Sequence, residues 1–329
     1  MTITHKIANT VLTPMVFLSV SVMNLVCSLL LYSLKHKSDV ANHIFKCGYS
    51  GINLYLESCS KLKIRHFGDN VPSHESGRKC IFISNHPSMF DSVCLQTWLQ
   101  KLGRMDTQTC VFVWRTFKYT PIGQLYNSGN IQFVGYGKDI DMATIKKSAQ
   151  SIVNGDVKTI GIFPEGGIFP NMYKSSNEYA VRYNYKPLQF CCYPKIQGLI
   201  WLFEELSFDD ASNIDFYDIT IGYEGVDRRK LCDVRFSPDD NNVHIYCKKY
   251  NLGELFHFLK PQKRVDEEIF RIWLWDIFIQ KNTRLYIFKK TNIIEKCASE
   301  LILPDKSNEN IRYLTAFLGI LITILVSRK

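Results

Sequence analysis

Four short apolar runs alternate with helix-length segments, and this alternation constrains the fold more than any other feature of the chain. The runs are CIFIS (80–84), TCVFVW (109–114), NIQFVG (130–135) and KTIGIF (158–163). A strand that is apolar on both faces has to be covered on both, as happens in a mostly parallel sheet with helices on either side. Segments 91–102, 139–153, 172–184 and 196–207 have helical length, and YDITIGY (217–223) and NVHIYCKKY (242–250) read as later strands. The fold class is therefore α/β, a mostly parallel sheet flanked by helices. Segment 265–290 reads as an aromatic-rich helix that either packs on this domain or lies on a membrane.

The two ends have a different character. Between Lys6 and Lys35 there are 28 uncharged positions with LSVSVMNLVCSLLLYSL at their centre. Roughly 20 helical residues cross a bilayer core, so this run reads as an N-terminal membrane helix. A cleaved leader would be shorter and would end in a small-residue pattern before the first charges. Lys35, His36 and Lys37 follow the run, which orients the downstream domain to the cytosol by the positive-inside rule. The last stretch, YLTAFLGILITILVSRK, has 15 uncharged residues closed by Arg328 and Lys329. It reads as a C-terminal hydrophobic helix: a tail anchor, an interfacial helix or a buried terminal helix, in that order. The expected organisation is an anchor (1–38), an amphipathic linker (39–79), a catalytic domain (80–295) and the hydrophobic tail segment (296–329).

Composition narrows the partners. The formal net charge of +9 favours anionic ones, such as phospholipid surfaces or phosphate-bearing co-substrates. Eleven scattered cysteines with no C-x-x-C pair imply a reducing compartment without a disulfide framework or a zinc site. No Walker loop or G-x-S-x-G elbow is present, and the histidines other than His86 fall in no metal-ligand spacing.

Two motifs follow directly after buried runs, where α/β sheets gather their sites. After CIFIS comes Asn85-His86-Pro87-Ser88-Met89-Phe90-Asp91. Five positions on one regular helix are about 140° off the same face, so His86 and Asp91 could not meet on it. Pro87 disfavours helical geometry at His86, which frees the histidine for a loop while Asp91 opens the next helix. A carboxylate accepting Nδ1–H fixes the tautomer and leaves Nε2 to take a proton from an alcohol. In a chain with eight histidines this spacing also arises by chance. After KTIGIF comes Phe163-Pro164-Glu165-Gly166-Gly167, a glutamate beside two glycines on a tight turn. Such a glutamate is expected to be exposed, either accepting hydrogen bonds from substrate hydroxyls or simply solvated.

Taken together, N-H-x4-D at 85–91 and F-P-E-G at 163–166 resemble the marks of the glycerolipid acyltransferases, the superfamily of lysophosphatidate acyltransferases and tafazzin. FKYT (117–120), FPEGG (163–167), Pro194-Lys195 and DIT-x-x-Y (218–223) are similar to the acyl-CoA:lysophosphatidylglycerol acyltransferase branch, over residues 80–290. The resemblance implies an O-acyltransferase that moves an acyl group from acyl-CoA to a lysophospholipid in phospholipid synthesis or remodelling. His86 would be its base, Asp91 the partner that orients it, and Phe163, Pro164, Glu165, Gly166 and Lys195 the acceptor-lipid site. It also implies acyl-CoA as co-substrate with no bound cofactor or metal, a phospholipid membrane as partner and not nucleic acid, and a place at the endoplasmic reticulum.

The chain departs from the family pattern at two points. Val134 stands where the family's middle motif carries an arginine for the acceptor phosphate, with Lys138 the nearest basic residue, and lysine replaces arginine at Pro194-Lys195. Arg115, Lys118, Lys174 and Arg182 are candidates for the coenzyme A phosphates, or solvated surface charges. Two alternatives stand beside this reading. One is a coenzyme-A-independent transacylase of the tafazzin kind, and the other a non-catalytic membrane scaffold with the same fold.

Overall fold

A computed structural model describes residues 39–54, 56–57, 61–88, 90–106, 108–119, 131–224, 241–261, 264–295 and 299–305, together with positions 22, 26, 308, 310–313 and 315. Apart from the isolated positions 22, 26, 313 and 315, the expected N-terminal membrane helix and the C-terminal hydrophobic stretch lie outside these residues. Among the described residues no helix is long and apolar enough to cross a membrane.

The strands are β1 (Leu62–Gly68), β2 (Lys79–Ser84), β3 (Thr109–Trp114), β4 (Gln132–Val134), β5 (Thr159–Ile162), β6 (Ile214–Tyr223), β7 (Asn241–Asn251) and β8 (Glu300–Leu301). They form one sheet in the order β4-β3-β5-β2-β6-β7-β1-β8. Pairing is parallel from β4 through β6 and again between β1 and β7. It is antiparallel between β6 and β7 and between β1 and β8, so the sheet is mixed but mostly parallel. The outermost strands, β4 and β8, are three and two residues long. Such short edges offer little unpaired backbone to another chain.

The helices are α1 (Asp39–Leu54), α2 (Asp91–Lys101), α3 (Lys138–Val153), α4 (Phe169–Val181), α5 (Gln197–Glu204), α6 (Phe208–Ser212), α7 (Leu252–Leu259) and α8 (Glu267–Thr291). They split between two cores, one on each face of the sheet. Along β2, Cys80 and Phe82 join the core with α1 and α2, and Ile81 and Ile83 join the core with α3, α5, α7 and α8. This is the alternation of a strand apolar on both faces. Trp98 of α2 is completely buried, edge-on to Phe82 at 5.7 Å between ring centroids. Truncating a side chain of that size in such a place costs about 3–5 kcal/mol.

Segment 39–79, read from sequence as a linker, contributes to both sheet and core. β1 lies inside the sheet between β7 and β8, and α1 buries Phe45 and Tyr49 beside α2. The long helix α8 packs on the domain through Phe270, Leu274, Trp275 and Phe278. β6 places Phe216 in the core with α8, and Tyr217, Ile219 and Ile221 in the core with α2. A period of two then carries Tyr223 to the α2 face at the carboxyl end of the strand.

Candidate active site

The carboxyl ends of β2, β5 and β6 meet at one point, and three sequence-distant segments build the site there. The chain leaves β2 at Ser84 and is turned at once by Asn85. That buried amide donates through Nδ2 to the Ile221 carbonyl at 3.0 Å and accepts the Ile221 N–H at 2.8 Å. It thereby clamps the loop to β6. Residues 85–87 are non-helical, and α2 begins at Asp91.

The Nδ1–H of His86 donates to Asp91 Oδ2 at 2.8 Å. The same carboxylate oxygen accepts the Ser88 N–H at 2.7 Å, and its other oxygen accepts the Tyr223 hydroxyl. Asp91 is fully buried, whereas His86 keeps part of its surface exposed. Burial pushes the Asp91 carboxyl above its ordinary range, against the pull of His86, Tyr223 and Ser88. Burial, with the Asp91 charge beside it, also holds the Tyr223 phenol well above its ordinary value, so it remains a proton donor. With Nδ1 committed to a carboxylate, Nε2 is the nitrogen of His86 that can take up a proton.

The turn after β5 holds His86 by its backbone. Glu165 Oε1 accepts the His86 N–H at 2.9 Å, and the His86 carbonyl accepts the Phe169 N–H at 2.8 Å. The Phe163 ring stacks on the imidazole, with centroids 4.4 Å apart and planes 25° from parallel. Glu165 was expected to be exposed, but it is 1% exposed. Segment 188–195 closes over it, and its second oxygen accepts the Cys192 N–H at 3.0 Å. That segment is fixed in turn by Asn177, by Asn282 of α8 and by Trp275, whose Nε1–H donates to the Pro194 carbonyl at 3.1 Å. Burial raises the Glu165 carboxyl to about 7, while the hydrogen bonds from the His86 and Cys192 amides lower it.

Pro164 is buried, and its carbonyl accepts the Lys195 N–H at 2.7 Å. Gly166 has φ +71°, a conformation few side-chain-bearing residues adopt, and the Lys195 side chain lies across it. Phe163, Pro164, Glu165, Gly166 and Lys195 therefore stand together beside His86. Of the other basic residues, Arg115 and Lys118 lie in the turn after β3, Val134 ends β4 and Lys138 opens α3. Arg115 sits over the Tyr136 ring at 5.7 Å. Lys174 points to solvent on α4, and Arg182 lies past the far end of that helix, about 20 Å along its axis from Phe169. The structure does not gather Arg182 with the others. Among the described residues no group of three His, Cys, Asp or Glu is placed to hold a metal ion.

Asn85 and Tyr223 belong to segments that sequence reasoning singled out, yet it gave them no role. The signal for Tyr223 is a tyrosine ending a buried strand in phase with residues 217, 219 and 221.

An oriented histidine–carboxylate pair at the carboxyl edge of a mostly parallel sheet, beside a Phe-Pro-Glu-Gly turn, defines the class of the glycerolipid acyltransferases. Residues 63–221 match the family model described as Acyltransferase, and this domain belongs to that superfamily. Over 244 residues the chain is 23% identical to a Caenorhabditis elegans protein named "Putative 1-acyl-sn-glycerol-3-phosphate acyltransferase acl-12". The match covers 69% of this chain and 61% of that relative's length.

Proposed function

We propose that the protein transfers a fatty acyl group from acyl-CoA to the free hydroxyl of a lysophospholipid, with His86 as general base. The observation that carries this reading is the 2.8 Å hydrogen bond from His86 Nδ1 to a buried Asp91, which leaves Nε2 to act. Nε2 removes the proton of the glycerol hydroxyl as its oxygen attacks the thioester carbonyl. The carbon–sulfur bond then breaks, the acyl group remains as an ester, and the proton on the imidazolium passes to the leaving thiolate of coenzyme A. Asp91 stabilises the imidazolium while it exists, and base catalysis of this kind contributes about 10²–10⁴-fold. Glu165 holds the loop of His86 in place. Phe163, Pro164, Gly166 and Lys195 face the acceptor lipid, and Arg115, Lys118 and Lys138, which follow the ends of β3 and β4, favour the phosphates of the co-substrate.

The relative's printed name indicates a glycerophosphate acceptor, and family likeness within the sequence favours a lysophosphatidylglycerol-like one. The +9 charge and the uncharged terminal stretches favour attachment to a phospholipid membrane, and the family resemblance favours the endoplasmic reticulum, with the domain facing the cytosol. The test is incorporation of labelled acyl-CoA into phospholipid by membranes containing the protein, offered a panel of lysophospholipids. Transfer that needs both substrates supports the reading and names the acceptor. Equal transfer from a labelled phospholipid without acyl-CoA replaces it with a transacylase, and no transfer with any donor overturns it.

A further inference from the structure

Asp91 is fully buried and accepts three hydrogen bonds, two on Oδ2 from the loop and one on Oδ1 from the Tyr223 hydroxyl. We propose that Tyr223 is a positioning residue of the acyl-transfer site, holding Asp91 ionised and turned toward His86. The proposal rests on the reading of His86 as the base.

Among the described residues the geometry leaves Oδ1 no substitute. Asp91 has no exposed surface through which water could reach it, and a buried carboxylate oxygen without a donor favours its protonated form. Among the described residues the ionisable groups around the carboxylate are His86 on the loop, Glu165 on the turn after β5, Cys94 one helical turn along α2, and Tyr223 from β6. Cys94 gives no hydrogen bond to Asp91. Its Sγ lies 3.8 Å from the Tyr223 oxygen, and burial keeps the thiol well above its ordinary range. Glu165 is committed to two backbone amides.

The phenol itself is placed from both sides. Two residues upstream the Asn85 clamp fixes the backbone of Ile221. One residue downstream Glu224 is tied to β7 through His244 and through Asn242 at 2.8 Å. The register of β2 on β6 pairs Ser84 with Ile219, so the end of β6 is set against the loop of His86. Tyr223 thus joins Asp91 across 132 residues of sequence with little freedom to move.

The experiment compares the pH dependence of kcat for the full chain in membranes with that of Tyr223→Phe, which keeps the ring and removes the donor. Loss of the donor raises the proton affinity of the His86–Asp91 pair, whichever member carries the proton. Activity needs the pair deprotonated, so the acid limb is expected to move up by about one pH unit, with kcat near neutrality down roughly tenfold and KM for acyl-CoA little changed. Tyr217→Phe is the control. It removes a buried phenol on the same strand whose partner is the Asn70 carbonyl, away from the site, and the acid limb should stay in place. In an Asp91→Asn background, Tyr223→Phe should shift nothing further. An unmoved acid limb in Tyr223→Phe, with kcat near the parent value, overturns the proposal. An equal shift in Tyr217→Phe overturns it too. Retained transfer in His86→Ala marks failure of the underlying reading instead.

Discussion

Glu165 Oε1 accepts the backbone N–H of His86 at 2.9 Å, and this contact joins the turn after β5 to the loop after β2. The Phe-Pro-Glu-Gly turn thus fixes where the imidazole stands, from a position with no access to solvent. Glu165→Gln keeps the shape but sets an amide –NH2 against one of two buried N–H donors. A misplacement of about 1 Å at a reacting group can cost 10²-fold, and a loss of kcat of that order is expected, with KM for acyl-CoA changed far less. Steady-state kinetics on the variant check it.

The same carboxylate makes stability depend on pH. Its folded value of about 7 lies above the ordinary 4.5, so folding favours the protonated form. That contribution is fully present below about 4.5 and is lost as the pH rises through about 7, a change of about 3 kcal/mol from this one group. Denaturant unfolding of the purified protein between pH 4.5 and 7 should show a shallower decline in Glu165→Gln than in the parent.

Asn85 makes two hydrogen bonds to the Ile221 backbone in a site closed to water. Asn85→Ala leaves a buried N–H and C=O without these partners, at about 1–3 kcal/mol for each group. Chemical denaturation should show a loss of about 2–6 kcal/mol, and kcat should fall with it because His86 is the next residue.

At Gly166 the backbone conformation matters more than the space. A methyl group there would come within 2.9 Å of the Lys195 side chain, whose flexible end can move aside, whereas φ +71° cannot be relieved. Gly166→Ala is expected to cost about 1–2 kcal/mol. Adding Lys195→Ala should restore little of it, as thermal unfolding of the single and double variants would reveal. Recovery of most of the loss in the double variant would point to crowding instead.

The sheet was legible because β2, β3 and β5 are apolar on both faces, and a strand can carry that pattern only inside a covered sheet. Pro87 likewise gave away the break that lets His86 meet Asp91. Three things were hidden for a common reason. The burial of Glu165 comes from segment 188–195 folding over it, and the Asn85 clamp and the Tyr223 contact come from the pairing of β2 with β6. Each depends on contacts between segments distant in sequence, which no local periodicity records. A glutamate next to two glycines reads as a surface turn until the chain that covers it is seen. The place of β1 between β7 and β8 was obscured in the same way, since LKIRHFG carries two charges and alternates too weakly to stand out.

His86 as the base of an acyl transfer is tested most directly by the initial rate of labelled acyl-CoA transfer in preparations carrying equal amounts of parent and His86→Ala protein. A fall of at least about a hundredfold is expected in His86→Ala at equal protein level. A rate in His86→Ala within a few-fold of the parent would contradict it.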